Sequence, residues 1–201
     1  MKSRLATLLC LLTLAACGTD TPKEAGAPGG LGLPALPGPT GPTGSDALGL
    51  EAQLDGRYIK SIRIEDSDFT ANGPNQEIVL TFAAQGMSNV KQFEFRLEID
   101  PIDALSFESS SFEPVQPFIA PPGFSIEMME GGQWRTGGAS VSQAKEGNDI
   151  LGILKLVTGD RFSAGDKAQV RVAFFSMGPS FSDRDDYSAD DLNMGIIVNG
   201  E

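Results

Sequence analysis

Hydrophobic and polar positions alternate along Phe93-Glu94-Phe95-Arg96-Leu97-Glu98-Ile99-Asp100. Successive strand side chains point to opposite faces, so Phe93, Phe95, Leu97 and Ile99 form an apolar row while Glu94, Arg96, Glu98 and Asp100 form a solvated one; the pattern predicts a half-buried strand. Asp100-Pro101 ends it, because proline has no N–H for the ladder and biases the preceding residue away from helix. Tyr58–Ile64 alternates as a first strand, and Asn72-Gly73-Pro74-Asn75 is a turn. Ile78–Ala84 reads as a central strand, joined to the one at Phe93 through Gly86-Met87-Ser88-Asn89. Beyond Pro101 a short turn, with room for one helical turn, returns Leu105 and Phe107 to the core. Pro114-Val115-Gln116-Pro117 and Pro121-Pro122-Gly123 bracket an irregular loop. Phe124–Met129 and Trp134–Val141 are strands joined by Glu130-Gly131-Gly132. Ile150–Val157 is apolar on both faces and predicts a buried strand. Asp160–Lys167 is a turn region into which Phe162 dips, Val170–Phe175 alternates again, and Met194–Val198 closes the chain after an acidic loop. About eight or nine short strands without a long helical period predict an all-β antiparallel sandwich, and a jelly roll has that strand number.

Ahead of this pattern lie two segments of other character. Lys2 and Arg4 precede the apolar run Leu5–Ala16, which at about 12 residues is too short to span a bilayer and suits a secretion signal. It closes on Leu14-Ala15-Ala16-Cys17, which resembles the lipobox of bacterial lipoproteins; the resemblance implies cleavage before Cys17, a lipid on Cys17 and a place in the cell envelope. Gly18 follows, where proteobacterial lipoproteins retained at the inner membrane carry aspartate, so the resemblance points to the outer membrane or cell surface. The only cysteines are Cys10 and Cys17; one leaves with the signal and the other takes lipid, so the mature protein has no internal disulfide. Residues 18–44 are dense in glycine and proline with no hydrophobic period, which predicts a disordered spacer. The organisation is therefore signal peptide 1–16, lipid-anchored linker 17–50 and folded domain 51–201.

Several motifs of the domain together resemble the cohesin-like modules of bacterial cellulosomes and their relatives on bacterial surfaces. They are Gly86-Met87-Ser88-Asn89-Val90, the Phe93–Pro101 strand ending in Asp-Pro, Leu105 with Phe107, Gly147-Asn148-Asp149-Ile150-Leu151-Gly152-Ile153-Leu154, and Asp190-Asp191-Leu192-Asn193 before Met194–Asn199. One departure is three residues, Ile102-Asp103-Ala104, where the family usually leaves two before the next core leucine. The resemblance implies a jelly-roll sandwich, kinship with carbohydrate-binding modules and, in cellulosomes, calcium-dependent binding of dockerin modules on polysaccharide-degrading enzymes. No contact residue carries over from it.

Charge and chemistry narrow the function classes. A formal net charge of −12 argues against nucleic acid and anionic lipid headgroups as partners, since both call for a basic stripe. The absence of histidine removes Ser-His-Asp catalysis and histidine-ligated metal sites. Two opposed carboxylates would suffice for a glycosidase, but the acids fall on exposed alternating positions or in loops, so no enzyme is expected. Asp183, Asp185, Asp186, Asp190 and Asp191 form the strongest polar cluster: calcium takes six to eight oxygen ligands, whereas Ser188 with Asp190 and Asp191 also reads as a helix cap. Tyr58, Trp134 and Tyr187 are the candidates for contact with a sugar or a partner. Three functions stay open: a non-catalytic module binding a protein of dockerin type, a carbohydrate-binding module, and a structural envelope domain. A polar and aliphatic exposed sheet face would favour the first, and a face displaying Trp134 or a tyrosine the second.

Overall fold

The computed structural model describes residues 48–65, 70–71, 73–118 and 123–200. The predicted signal, Cys17, the predicted linker before residue 48, Asn72 of the predicted first turn and the Pro121-Pro122 pair lie outside the described residues. Twelve strands run in chain order: β1 Glu51–Gln53, β2 Ser61–Ile64, β3 Thr70–Ala71, β4 Glu77–Val90, β5 Gln92–Asp100, β6 Ser111–Pro114, β7 Gly123–Glu130, β8 Gln133–Ser140, β9 Lys145–Val157, β10 Lys167–Ser180, β11 Asp183–Ser188 and β12 Gly195–Gly200. A 3-10 turn, Ile102–Ala104, follows β5, and one helical turn, α1 Ala189–Leu192, precedes β12.

These strands make a two-sheet sandwich. One sheet has the order β1-β2-β4-β9-β6; the other runs β3-β12-β10-β5-β8-β7, with β11 also on β10. All pairings are antiparallel except the short β12–β3 pair. The apolar row of β5 faces inward as the alternation predicts, with Phe93, Phe95, Leu97 and Ile99 all buried. Phe95 lies at the centre of an aromatic ladder: its ring centroid is 4.6 Å from Phe82 on the opposite sheet and 4.8 Å from Phe175 beside it. Tilted rings at such spacing are the favoured aromatic arrangement. Every residue of this core lies between Ala52 and Val198, and Pro42–Glu201 separates from the residues before it as one compact unit, so the domain folds around a core of its own.

The pattern located most elements and misjudged several. The all-β sandwich stands, but strands number twelve rather than eight or nine. Three of the additions, β1, β3 and β6, are only three, two and four residues long, too short to show a period. The segment Gly86–Asn89 is not a connection, because β4 continues through it to Val90. Its register on β9 slips twice across this segment, between Ala84 and Met87 and between Met87 and Val90, and once before it, between Phe82 and Ala83. Gly86 and Asn89 adopt φ of 64° and 52°; bulges keep such a strand in its ladder while bending it. Lys91 alone then links it to β5 in the other sheet. The acidic loop is largely β11, paired to β10 from Phe174 to Ser180. Ile150–Val157 buries one face rather than two: Leu151, Leu154 and Leu156 are buried, whereas Ile153 and Val157 are half-buried on the outer side. The predicted turn features hold: Gly131-Gly132 joins β7 to β8 with positive φ at both glycines, Leu105 and Phe107 return to the core, and Phe162 is buried.

Candidate functional site

Register decides which side chains share the outer face of the larger sheet. Residues directly opposite in an antiparallel pair point the same way. Glu94 is opposite Gly137 on β8 and Ser176 on β10, Arg96 is opposite Arg135 and Phe174, and Gly137, Ala139 and Arg135 are opposite Ile126, Phe124 and Met128 on β7. With Phe93 and Phe95 in the core, all these residues face outward. The expected solvated row of β5 is thus corrected at its first member: Glu94 is only 5% exposed.

Glu94 is buried because three arginines close over it. Its carboxylate lies 2.8 Å from Nε of Arg96, 2.8 Å from Nε of Arg135 and 3.9 Å from Nη1 of Arg184, and Nη2 of Arg135 donates to it at 3.0 Å. Burial pushes the carboxyl up, but the hydrogen bonds from Arg96 and Arg135 outweigh it and hold the group below the usual carboxylate range. Phe174 supports the arrangement from β10, its ring centroid 4.5 Å from the Arg96 guanidinium and 5.9 Å from that of Arg184. The arginine ends stay partly accessible.

Beside this charged centre runs an apolar margin. Phe124 and Met128 on β7 are 45% and 42% exposed, and Phe181 in the β10–β11 turn is 57% exposed. Phe124, Ile126, Phe181 and Arg184 line a shallow slot whose floor is Gly137-Gly138. A Cβ at Gly137 would stand 2.2 Å from the Phe93 carbonyl oxygen, so a residue with a side chain cannot pack β8 this closely on β5.

The sequence candidates fall elsewhere. Trp134 is fully buried on the inner side of β8, its ring 5.3 Å from Phe107 at 90°, so it presents no face to a sugar; this corrects its selection as a contact residue. Tyr58 and Tyr187 do come together, at the margin where the loop before β2 meets β11. Asp185 accepts the Tyr58 backbone N–H at 2.7 Å, Arg57 reaches Asp183 at 3.0 Å, and its guanidinium lies 4.8 Å from the Tyr58 ring centroid. A hydrogen bond to Asp183 pushes the Tyr58 phenol up. Tyr187 stacks on Phe175 at 6.3 Å, and its hydroxyl is buried without a hydrogen-bond partner. Burial first, then Asp185, Asp55 and Asp191, pushes that phenol up to about 12. Gly56 is obligatory here, since a Cβ would lie 2.1 Å from the Tyr187 hydroxyl.

The acidic cluster is divided among separate tasks. Asp183 and Asp185 hold Arg57, Asp186 holds Arg184 at 2.8 Å, and Asp190 is fully exposed, 3.8 Å from Arg171. Asp191 accepts the backbone N–H and the hydroxyl of Ser188 at 2.8 and 2.7 Å at the start of α1, the capping geometry that the Ser-x-x-Asp spacing allows. Among the described residues no three acidic side chains gather so as to hold a metal ion. The residues that sequence reasoning passed over are Glu94, the three arginines around it and the Phe124–Ile126–Met128 row. The F-x-I-x-M alternation of the row was visible, but alternation alone does not say which side is the outer one.

No family model and no curated protein matches the chain. Solved structures similar to it include the sixth cohesin of scaffoldin B from Acetivibrio cellulolyticus, in complex with a Cel5 dockerin mutant, at 14% identity and a TM-score of 0.46, over 67% of this chain and 95% of that one. A cohesin module of a family 33 glycoside hydrolase from Clostridium perfringens matches at 12% identity and a TM-score of 0.48, over 72% and 99%. A type III cohesin from the cell-surface anchoring scaffoldin ScaE of Ruminococcus flavefaciens matches at 10% identity and a TM-score of 0.44, over 72% and 89%. All three are cohesin modules, the group whose motifs the sequence resembles, and at these identities and TM-scores they name no ligand or partner for this chain.

Proposed function

We propose that the domain is a non-catalytic module, held at the cell surface by lipid on Cys17, that docks a dockerin-bearing protein on the outer face of β7, β8, β5 and β10. The observation that carries the reading is the apolar margin of Phe124, Met128 and Phe181 beside a buried, charge-satisfied centre. Interfaces concentrate their energy in a few apolar and arginine anchors of this sort. The partly accessible ends of Arg96 and Arg135 favour a partner that brings carboxylates to them. Of the three aromatic residues selected for sugar contact, Trp134 is buried, Tyr58 is covered by Arg57 and Tyr187 by Phe175; the exposed rings on this face are Phe124 and Phe181, which the reading gives to the protein partner. The test is retention of purified dockerin modules by immobilised Pro42–Glu201, with and without calcium, compared with a Phe124→Asp/Phe181→Asp variant shown to be folded. Equal retention by the variant would move the contact off this face, and retention of polysaccharide in place of protein would replace the reading.

A further inference from the structure

Five strands have a single neighbour among the described residues: β1, β3, β6, β7 and β11. A bare strand edge offers unpaired N–H and C=O groups to another chain, and proteins usually blunt it with shortness, proline or charge. Four of the five are blunted in this way. β1 and β3 have three and two residues, β6 has four and ends in Pro114, and β11 carries Asp183, Arg184, Asp185 and Asp186. β7 is the least blunted: it has eight residues, no proline, lysine or arginine, only Glu127 as a charge within its length with Glu130 at its end, and a register on β8 without a bulge.

We propose that the free edge of β7 pairs with the same edge of a second copy of this chain, antiparallel about a twofold axis at Ile126, so that two larger sheets become one continuous sheet. The occupant follows from self-complementarity. Opposed residues of an antiparallel pair share a face, so the outer row of one strand must meet the outer row of the other. With Ile126 opposite Ile126 of the second copy, Phe124 meets Met128 and Met128 meets Phe124, an unbroken apolar cross-strand row. In the inner row Ser125 meets Glu127, a donor against an acceptor. Two neighbouring registers also keep the faces matched. One puts Glu127 on the axis opposite its own copy, and like charges directly opposed are disfavoured. The other puts Ser125 on the axis and leaves Met128 opposite residue 122, outside β7, so the apolar row loses a pair. Such pairing is isologous, each patch meeting itself, as in most closed dimers. It engages the backbone edge of β7 and borrows Phe124 and Met128 from the margin of the outer face for its cross-strand row; it does not rest on the docking reading, since its test reads the oligomeric state of the domain alone.

The test uses Pro42–Glu201, which lacks both native cysteines, so a single Ile126→Cys change supplies the only thiol. Directly opposed residues of an antiparallel pair have Cα atoms about 4.5–5.5 Å apart, inside the range of about 4.4–6.8 Å that a disulfide spans. Copper phenanthroline oxidation in about 0.15 M salt, which screens the acidic surfaces, is expected to give a covalent dimer of I126C. The same treatment is expected to leave V141C, exposed outside β7, largely monomeric. A mixture of F124C and M128C is expected to cross-link one to the other, and sedimentation equilibrium of the unsubstituted domain is expected to rise to twice the monomer mass with concentration. Ile126→Lys, which opposes two cations at the axis, is expected to restore the monomer mass. A monomer at every concentration, or I126C cross-linking no faster than V141C, would overturn the proposal.

Discussion

Glu94 sits where three arginines converge, and its removal would leave Arg96 without its counter-charge and Arg135 with only the exposed Glu130 at 4.0 Å, while Arg184 keeps Asp186. Breaking one side of a buried ion pair costs about 3–5 kcal/mol; these arginines keep contact with water, so Glu94→Gln is expected to cost about 2 kcal/mol at neutral pH. Because the folded carboxyl titrates below its unfolded value, its stabilisation is present above the unfolded pKa of about 4.3 and is lost as pH falls through the lower folded value. Urea unfolding of the wild type and E94Q should therefore diverge at pH 7 and converge under acid; a pH-independent difference would contradict the ion-pair account. Tyr187 is the opposite case, a group held neutral. Its hydroxyl has no partner, so Tyr187→Phe is expected to be neutral or stabilising by up to about 1 kcal/mol. With a folded pKa raised to about 12, its contribution holds below the unfolded value of about 10 and fades as pH climbs through 12. An absorbance titration in which both tyrosines ionise near 10 would count against this burial.

At the scale of the element, β5 was the most legible strand, because strict alternation and a terminating Asp-Pro are both local signals. Its outer row was legible only in part: that Glu94 is buried depends on Arg135 and Arg184, which arrive from strands about forty and ninety residues away along the chain. β4 shows the converse limit, since glycine and asparagine at positive φ read as a turn whether they close a hairpin or bulge a continuous strand. The position of β8 is legible in the sequence, yet the face of Trp134 is not, because a single aromatic carries no mark of its side once the strand contains Gly137-Gly138 in place of an alternating partner. Its burial gives a direct check. Trp134 is the only tryptophan, so the folded domain is expected to emit in the blue range of indole fluorescence and to resist iodide quenching. Ready quenching of the native protein would place the ring outside and reopen sugar stacking. Trp134→Ala is expected to cost about 3–5 kcal/mol.

For the whole molecule, the account joins an anchor to a docking face. The anchor rests on the apolar run and Leu14-Ala15-Ala16-Cys17, and it predicts that the wild type, expressed in bacteria, partitions into the detergent phase while Cys17→Ser moves to the aqueous phase; unchanged partitioning would remove lipid on Cys17 from the account. The acidic surface favours neither nucleic acid nor an anionic bilayer, which leaves the apolar margin of the larger sheet as the feature a partner would seek. The measurement that tests this most directly is retention of a dockerin-bearing protein from the secreted proteins of the source cells, by the wild-type domain and by the folded Phe124→Asp/Phe181→Asp variant side by side. The account predicts that the wild type retains such a protein and that the variant retains roughly tenfold less, the loss that removal of an apolar anchor brings. A protein held equally by both, or none held by the wild type, would contradict it.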